Sequence, residues 1–598
     1  MKEHLVQLLQ EALLNLKRQQ KLDLPTDLPF TIERTRSREH GDFASNIAMV
    51  LARHAKMSPM DLGALIVKAI PESRQVDKVN LAKPGFINFT ANRTCLLGVL
   101  KRISEQAADY GRSNIGEDEP ITVEYVSANP TGPLHVGHGR MAAFGASLTA
   151  ILAHAGYDVQ REYYVNDYGR QMDILATSVW LRYLELTGQP ARFPDNGYRG
   201  DYVIEVARQL RVHEGDALRL DSPAELAAGL PPDESQGGDK ETHVDALISR
   251  ARSLLGAGYE RVYDFALARL RGAIREELGA FGVQFDEWCS ERGLARSGAI
   301  EAALEQMRGL GHLYEKDGAL WFRSSVLGDE KDRVVVRENG QSTYFASDIA
   351  YLKHKFDRGY AKAVYVLGAD HHGYIGRLKA AARGLGMDPD RVEIVLVQFV
   401  YLYKDGVEVA MGKREGKFVT LRDLRDEVGN DAARFFYVMR SHEQSLDFDL
   451  ELAKKQSADN PVFYVQYAHA RICAVFRRLE DRGLPKYIPA TGEAARTQLT
   501  EDREIELVTA LLRLPETIEN AARLRAPHIL ANYLREVAAA LHAYYDGEPR
   551  IELLCDNDEL RNARLLLLSA TRQVLGNGLK LLGVSAPEVM ERKSDGAV

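Results

Sequence analysis

Residues 121–156 read ITVEYVSANPTGPLHVGHGRMAAFGASLTAILAHAG. A strand pattern (ITVEYVSA) gives way to a loop rich in Gly, Pro and Asn. A helical period follows that puts Met141, Phe144, Leu148, Ile151 and Leu152 on one face and stops at Gly156. Strand, loop and helix in that order form one unit of a parallel sheet. Residues 362–386, KAVYVLGADHHGYIGRLKAAARGLG, repeat the order, and the apolar strand VEIVLVQFVYL follows at 392–402. Two such units predict a Rossmann-like, doubly wound α/β domain over residues 116–425.

Outside that span the periodicity changes. Residues 1–115 read as a small α/β domain: a helical N-terminus, a helix near 45–54, a strand at 85–90 (GFINFT) and the polar linker GRSNIGEDEP at 111–120. Residues 426–598 have helical period almost throughout, which predicts an all-α bundle. Inside the central domain, the region of about 180–275 has helical segments broken by LPPDESQGGDKE at 230–241, and reads as a mobile surface insertion. The whole is therefore a multidomain α/β plus all-α chain.

Composition narrows the class without naming a function. With 598 residues, 45% hydrophobic and 27% charged, the chain is globular and neither disordered nor fibrous. No apolar run approaches the roughly twenty residues of a membrane span, and charges interrupt the apolar period of the N-terminus, so a cytoplasmic protein without a membrane partner is expected. Cys95, Cys289, Cys473 and Cys555 include no C-x-x-C pair, which argues against a zinc ribbon or a disulfide framework. A net charge of −8 exerts no general pull on nucleic acid, so a nucleic-acid partner would need a local basic face.

Chemistry concentrates at two places. His135-Val136-Gly137-His138 stands where the first strand hands over to its helix, the place where open α/β sheets bind ligands. A helix N-terminus offers unpaired N–H groups to phosphate, Gly137 leaves room for a base or ribose, and two imidazoles add donors. No carboxylate at metal-ligand spacing accompanies the pair, and Asp370-His371-His372 are adjacent on a turn and point apart, so no metal site is assigned. The second place is GVEVAMGKREGKFVTLRDL at 406–424, which sets Lys413, Arg414 and Lys417 in a Gly-containing loop. Mobile cations there suit a departing pyrophosphate, and an ordinary solvated loop has the same composition.

These blocks resemble a known family. HVGH is similar to the HIGH signature of class I aminoacyl-tRNA synthetases, and Ala410-Met411-Gly412-Lys413 occupies the place of their KMSK loop. Within that class the chain resembles the arginyl-tRNA synthetases nearly end to end, through EYVSANPTGPLHVGHGR, YYVNDYGRQMDILA, DGALWFRSS, TYFASDIAYL, VLGADHHGY and LDFDLELAKKQSADNPVFYVQYAHARI. HGDFASNIAMVLA and PGFINF resemble the extra N-terminal tRNA-binding domain of that family. The resemblance implies arginine, ATP with Mg2+ and an arginine tRNA as substrates, an arginyl-adenylate intermediate, transfer to the 2′-hydroxyl, and a monomer. It also implies a family habit of needing tRNA bound before arginine is activated.

By position, the resemblance assigns His135, His138 and Lys413 to catalysis, and His135, Gly137, His138, Gly412 and Lys413 to ATP. It assigns Glu124, Asn129, Tyr344, Asp348 and His371, with Asp370 beside it, to arginine. A guanidinium is a planar fork of donors, so a carboxylate such as Asp348 flanked by an aromatic such as Tyr344 suits it. Taken singly, each of these is equally a helix cap, a surface group or, for Tyr344, a core aromatic. Gln466, Tyr467, His469 and Arg471 fall on a helix assigned to anticodon binding, whose Val462, Val465 and Ala468 turn to the core. The sequence departs from the signature at Ala410 and Gly412, where a lysine and a serine are expected. Arg414 and Lys417 are candidates to compensate, and an inactive tRNA-binding paralogue is the alternative reading.

Overall fold

The computed structural model describes residues 1–19, 22, 24, 29–35, 38–189, 191–409 and 419–590. The chain packs as two compact units: residues 1–110, 475–513 and 539–574 form one, and residues 111–474, 514–538 and those from 575 onward form the other.

The larger unit holds the expected sheet. Its strands are β1 (Pro120–Glu124), β2 (Asp158–Val165), β3 (Glu287–Ser290), β4 (Lys362–Gly368) and β5 (Val392–Val397). All are parallel, in the spatial order β5-β4-β1-β2-β3. The chain winds outward from β1 to β3 and then returns to lay β4 and β5 on the other side. Winding reverses between β1 and β4, so the loops beyond their carboxyl ends frame the binding crevice. Those loops carry HVGH and Asp370-His371.

Helix α1 (Val136–His154) follows β1. Phe144, Leu148, Ile151 and Leu152 are buried as expected, but Met141 is only half-buried, and the helix is buried nearly all round because glycines admit neighbours on its other sides. A Cβ on Gly145 would stand 2.3 Å from the Tyr125 ring, and one on Gly139 2.7 Å from Leu421. Arg140, on the same helix, is fully buried and donates to the carbonyls of Gln398 (2.8 Å), Phe399 (3.3 Å) and Ser441 (3.0 Å). Burial draws its pKa down to about 10. These contacts correct the reading of residues 392–402 as one strand. Carbonyls turned toward a cation leave the ladder, so the strand ends at Val397, and Val400–Lys404 pairs instead with Leu446–Asp449 in a separate small sheet.

The region read as a surface insertion has a core of its own. Helices α2 (Arg170–Leu186), α3 (Asp201–Glu214), α4 (Lys240–Leu255) and α5 (Ala257–Ala280) share one apolar core, with Trp180, Tyr183, Val203, Leu210, Leu247 and Val262 among its buried residues. Residues 221–241, which include the polar stretch, lie largely exposed. Two more helices complete the frame of the site, α6 (Tyr344–Asp357) before β4 and α7 (Tyr374–Gly384) after it.

In the smaller unit, strands Ile32–Arg34, Phe43–Ser45, Phe86–Ala91 and Val76–Ala82 form an antiparallel sheet in that spatial order. Helix Lys2–Arg18 buries Leu5, Leu8, Leu9, Ala12, Leu13 and Leu16 at helical period. C-terminal helices join this unit: the Tyr110 hydroxyl donates to the Leu511 carbonyl at 3.0 Å, and Arg564 pairs with buried Glu504 at 2.9 Å. Among the described residues, no helix is long and apolar enough to cross a membrane.

Candidate active site

The two histidines of HVGH make the N-terminal cap of α1. His135 Nδ1 accepts from the Gly137 N–H at 3.1 Å, His138 Nδ1 accepts from the His135 N–H at 3.2 Å, and the rings stack at 3.6 Å between centroids. A ring nitrogen that accepts carries no proton, so in the neutral form this network assigns the proton of each imidazole to Nε2. Gly137 earns its place sterically: a Cβ would lie 3.0 Å from His135 Cε1 and 3.1 Å from its Nδ1. The room it leaves is occupied by the folded-back His135 ring.

The segment after the basic loop returns to the same cap. His135 bridges Thr420, the Val136 N–H meets the Val419 carbonyl at 3.4 Å, and the Leu421 N–H donates to the Leu134 carbonyl at 2.8 Å. Thr420 then caps helix Leu421–Val428. Ala410, Met411, Gly412, Lys413, Arg414 and Lys417 lie outside the described residues.

Beyond the end of β1 the backbone turns sharply, with Val126 (φ 69°) and Ser127 (φ 38°) in a region that L-residues avoid. The turn sets the Ser127 hydroxyl to donate to Glu124 Oε1 at 3.0 Å while accepting from the Tyr164 N–H at 3.1 Å. Beneath lies a buried ionic cluster. Lys355 Nζ donates to Tyr351 (2.8 Å) and Glu162 Oε1 (3.1 Å) and stands 3.1 Å from Glu124 Oε2, off the line of a hydrogen bond. Glu162 Oε2 accepts from Thr122 at 3.1 Å and from Arg358. Burial alone would raise the Glu162 pKa, but Lys355, Tyr351 and Arg358 hold it down to about 2. Both oxygens of Glu162 are thus engaged by protein groups, whereas Glu124 keeps a lone pair for another donor.

Two further carboxyl groups have no such partner. Among the described residues, Asp348 on α6 accepts only from the Tyr374 hydroxyl, at 3.2 Å. Desolvation raises its pKa to about 7, the Glu124 charge pushing the same way against Tyr374 and Arg377. Glu291, 2% exposed just past β3, is raised to about 7 by burial, Ser347 opposing and the charges of Asp348 and Asp167 adding. Its Oε2 is buried without a hydrogen bond, and so is the hydroxyl of Tyr164, whose pKa burial and the charges of Glu291 and Asp348 drive far up. Among the described residues, no cation bonds Asp348 or Glu291.

The other sequence-assigned side chains fall around this pocket in different ways. Asn129 accepts from Asn166 (3.1 Å) and donates to Gln171 (2.8 Å). Tyr344, 49% exposed, opens α6 with its hydroxyl near Gly169, where a Cβ would stand 3.2 Å from it. Asp370 and His371 are exposed, 3.4 Å apart, and His371 meets Tyr374 edge to face. Gln466 and His469, assigned to RNA, turn inward instead: Gln466 bonds Asp431 (2.8 Å) and Ser585 (3.0 Å), and His469 bonds the Pro587 carbonyl (2.9 Å). Tyr467 and Arg471 stay half-exposed, with the guanidinium 5.5 Å from the ring. Sequence reading missed Glu291, Tyr164, Ser127, Glu162 and Lys355. The one available signal was that Glu291 follows the strand WCS, a third strand end.

Residues 3–91 match the arginyl tRNA synthetase N terminal domain, residues 100–189 and 256–468 the class I (R) tRNA synthetase catalytic domain, and residues 465–590 the DALR anticodon binding domain. The arginine–tRNA ligase of Thioalkalivibrio sulfidiphilus is 54% identical over 591 residues, 99% of this chain and 100% of the relative. The chain belongs to the arginyl-tRNA synthetase family. The arginine–tRNA ligase of Halorhodospira halophila is 52% identical over 592 residues, again 99% of this chain and 100% of the relative. The Thermus thermophilus arginyl-tRNA synthetase structure shares the fold, with a TM-score of 0.70 at 21% identity over 99% of this chain and 100% of that one. This synthetase is an ATP-using aminoacyl-tRNA ligase, and nothing in the matches favours the inactive paralogue.

Proposed function

We propose that the chain ligates L-arginine to the 3′-terminal adenosine of an arginine tRNA through an arginyl-adenylate, with the side chains placed as follows. The observation that carries the reading is the pair of carboxyl groups, Asp348 and Glu291, that no cation bonds among the described residues, beside the Tyr164 hydroxyl that has no hydrogen bond there either. A desolvated site where, among the described residues, Arg377 acts on Asp348 only through space and no cation bonds either carboxyl group is complementary to a ligand that brings one. A guanidinium supplies a delocalised charge and a fan of N–H donors for two carboxylates at once. Tyr344 covers its face, Glu124 and Asn129 take the α-ammonium, and His371 with Asp370 lies toward the reacting carboxylate.

The arginine carboxylate attacks the α-phosphorus in line; an O–P bond forms as the bond to pyrophosphate breaks. The 2′-hydroxyl of the terminal adenosine then attacks the acyl carbon, AMP leaves, and the hydroxyl proton passes to solvent or phosphate. Neither step needs a protein nucleophile, so catalysis is positioning plus charge stabilisation. His135 and His138 direct Nε2–H donors to the phosphates, Gly137 lets the His135 ring fold back, and Gly412 and Lys413 attend the pyrophosphate. Magnesium arrives with ATP, held by its phosphates. Tyr467 and Arg471 offer a stacking surface to unpaired tRNA bases, while Gln466 and His469 hold their helix. The protein acts in the cytoplasm as a monomer.

The test is arginine-dependent ATP–pyrophosphate exchange with and without tRNA, with lysine, glutamate and cysteine as controls. Exchange with arginine alone among the amino acids supports the reading, and its dependence on tRNA decides whether activation is coupled. No exchange while tRNA still binds would sink it. Lys413→Ala is expected to lower the exchange turnover about thirtyfold, the worth of one charge-assisted hydrogen bond, with little change in arginine binding. Unchanged turnover would remove Lys413 from the mechanism. Gly137→Ala, by pressing on the His135 ring, is expected to raise KM for ATP about tenfold while KM for arginine stays put.

A further inference from the structure

Residues 190–255 fall outside the matched part of the catalytic domain model, yet they touch the loop that carries Asn129. The Tyr202 hydroxyl, on the first turn of α3, donates to the Thr131 carbonyl at 2.7 Å. Its ring lies against Gly132, where a Cβ would stand 3.2 Å from the hydroxyl. Tyr198, just before α3, contacts the Thr131 side chain. Thr131 N–H in turn donates to the Asn129 carbonyl at 2.8 Å, so the brace is two residues from the side chain it would aim.

The same segment also grips the second loop of the pocket. Arg170, next to Gly169 and its neighbour Tyr344, pairs with Asp245 (2.6 Å) and Glu241 (2.6 Å) of α4. Arg252 of α4 pairs with Asp173 (2.5 Å) on the first turn of α2. The helices are anchored below by their shared apolar core, so they present these groups from a fixed base.

We infer that α3 braces the Asn129–Pro133 turn from outside the catalytic fold, with Tyr202 as a positioning residue that sets the synthetase's affinity for arginine. The inference rests on the assignment of Asn129 to arginine. His135 and His138 are held independently, by their own cap and by the bonds of Leu134 and Val136 to residues 419–421. Slack in the 129–133 turn should therefore reach arginine and spare ATP.

Tyr202→Phe keeps the ring and deletes only the hydrogen bond. In pyrophosphate exchange it should raise KM for arginine about tenfold and leave KM for ATP and turnover within about twofold. Tyr183→Phe is the control, because it removes a buried hydroxyl from the core that Tyr202 packs against, one that donates to the Gly215 carbonyl at 2.6 Å and accepts from the Leu218 N–H at 3.3 Å. It should lower Tm at least as much as Tyr202→Phe without moving KM for arginine. A second variant, Gly132→Ala, pushes the Tyr202 ring instead of trimming it and should give the same selective rise. An unmoved KM in Tyr202→Phe and Gly132→Ala, or an equal rise in Tyr183→Phe, would overturn the brace. Asn129→Ala measured alongside tests the assignment of Asn129 to arginine separately: a raised KM for arginine supports it, and an unmoved one would remove its basis.

Discussion

Asp348→Asn is expected to lower kcat/KM for arginine by about a thousandfold, and Glu291→Gln by a similar factor, because each leaves a buried guanidinium short of one charged partner, a loss of roughly 3–5 kcal/mol. Both replacements keep the shape of the side chain. Each also removes a carboxyl group that the folded protein ionises at a cost, since its pKa stands at about 7, well above the ordinary carboxylate range. The arginine-free variants should thus melt at pH 8 no lower than wild type, and higher if the lost strain outweighs the lost hydrogen bond from Tyr374 or Ser347. Titration of arginine by calorimetry, paired with thermal melts, separates this from misfolding. Wild-type affinity in Asp348→Asn would show that the guanidinium sits elsewhere. Glu162→Gln behaves differently in kind: it breaks the pairing with Lys355 and Arg358 and should cost stability first.

What the sequence made legible follows the range of each physical signal. The strand–loop–helix units were readable because period and turn chemistry are local, and HVGH was readable because a motif at a strand end has a known place in a parallel sheet. Glu124 and Asp348 came through motif resemblance. Glu291 did not, since its relation to Asp348 exists only once β3 takes its place at the edge of the sheet, and no spacing in the chain encodes that neighbourhood. Lys355 was hidden for the opposite reason: on a helix with Lys353 and Asp357 nearby it looks like a solvated charge, and only the packing of α6 buries it against two glutamates. Gln466 and His469 carry RNA-binding chemistry by type, but burial directs them to Asp431, Ser585 and Pro587. The helical segments at 180–275 were readable by period, as Val203, Val206, Ala207 and Leu210 on α3 show, but the core they share was not, because it exists only once α2 to α5 pack together.

If arginine binds as proposed, the same two carboxyl groups make its binding depend on pH in a range where the guanidinium itself does not titrate. The pKa of each is raised to about 7, so both are largely protonated at pH 6 and largely ionised at pH 8. A guanidinium needs the ionised forms. KM for arginine should therefore fall as pH rises from 6 to 8, by up to about a hundredfold if both must ionise and about tenfold if one suffices. Tyr164, whose pKa lies far above this window, stays protonated throughout and keeps its hydroxyl as a donor. The sign for stability runs the other way. A carboxyl raised in the folded state contributes stability that is fully present below its unfolded pKa and lost as pH climbs through about 7, so the arginine-free enzyme loses stability over that range and bound arginine returns it. The Tm gain from saturating arginine should accordingly be larger at pH 8 than at pH 6, and calorimetry at pH 7 in buffers of different ionisation enthalpy should detect protons released on binding. A flat KM between pH 6 and 8 with no proton release would mean that Asp348 and Glu291 are already ionised in the free enzyme, with Arg377 or another cation compensating them.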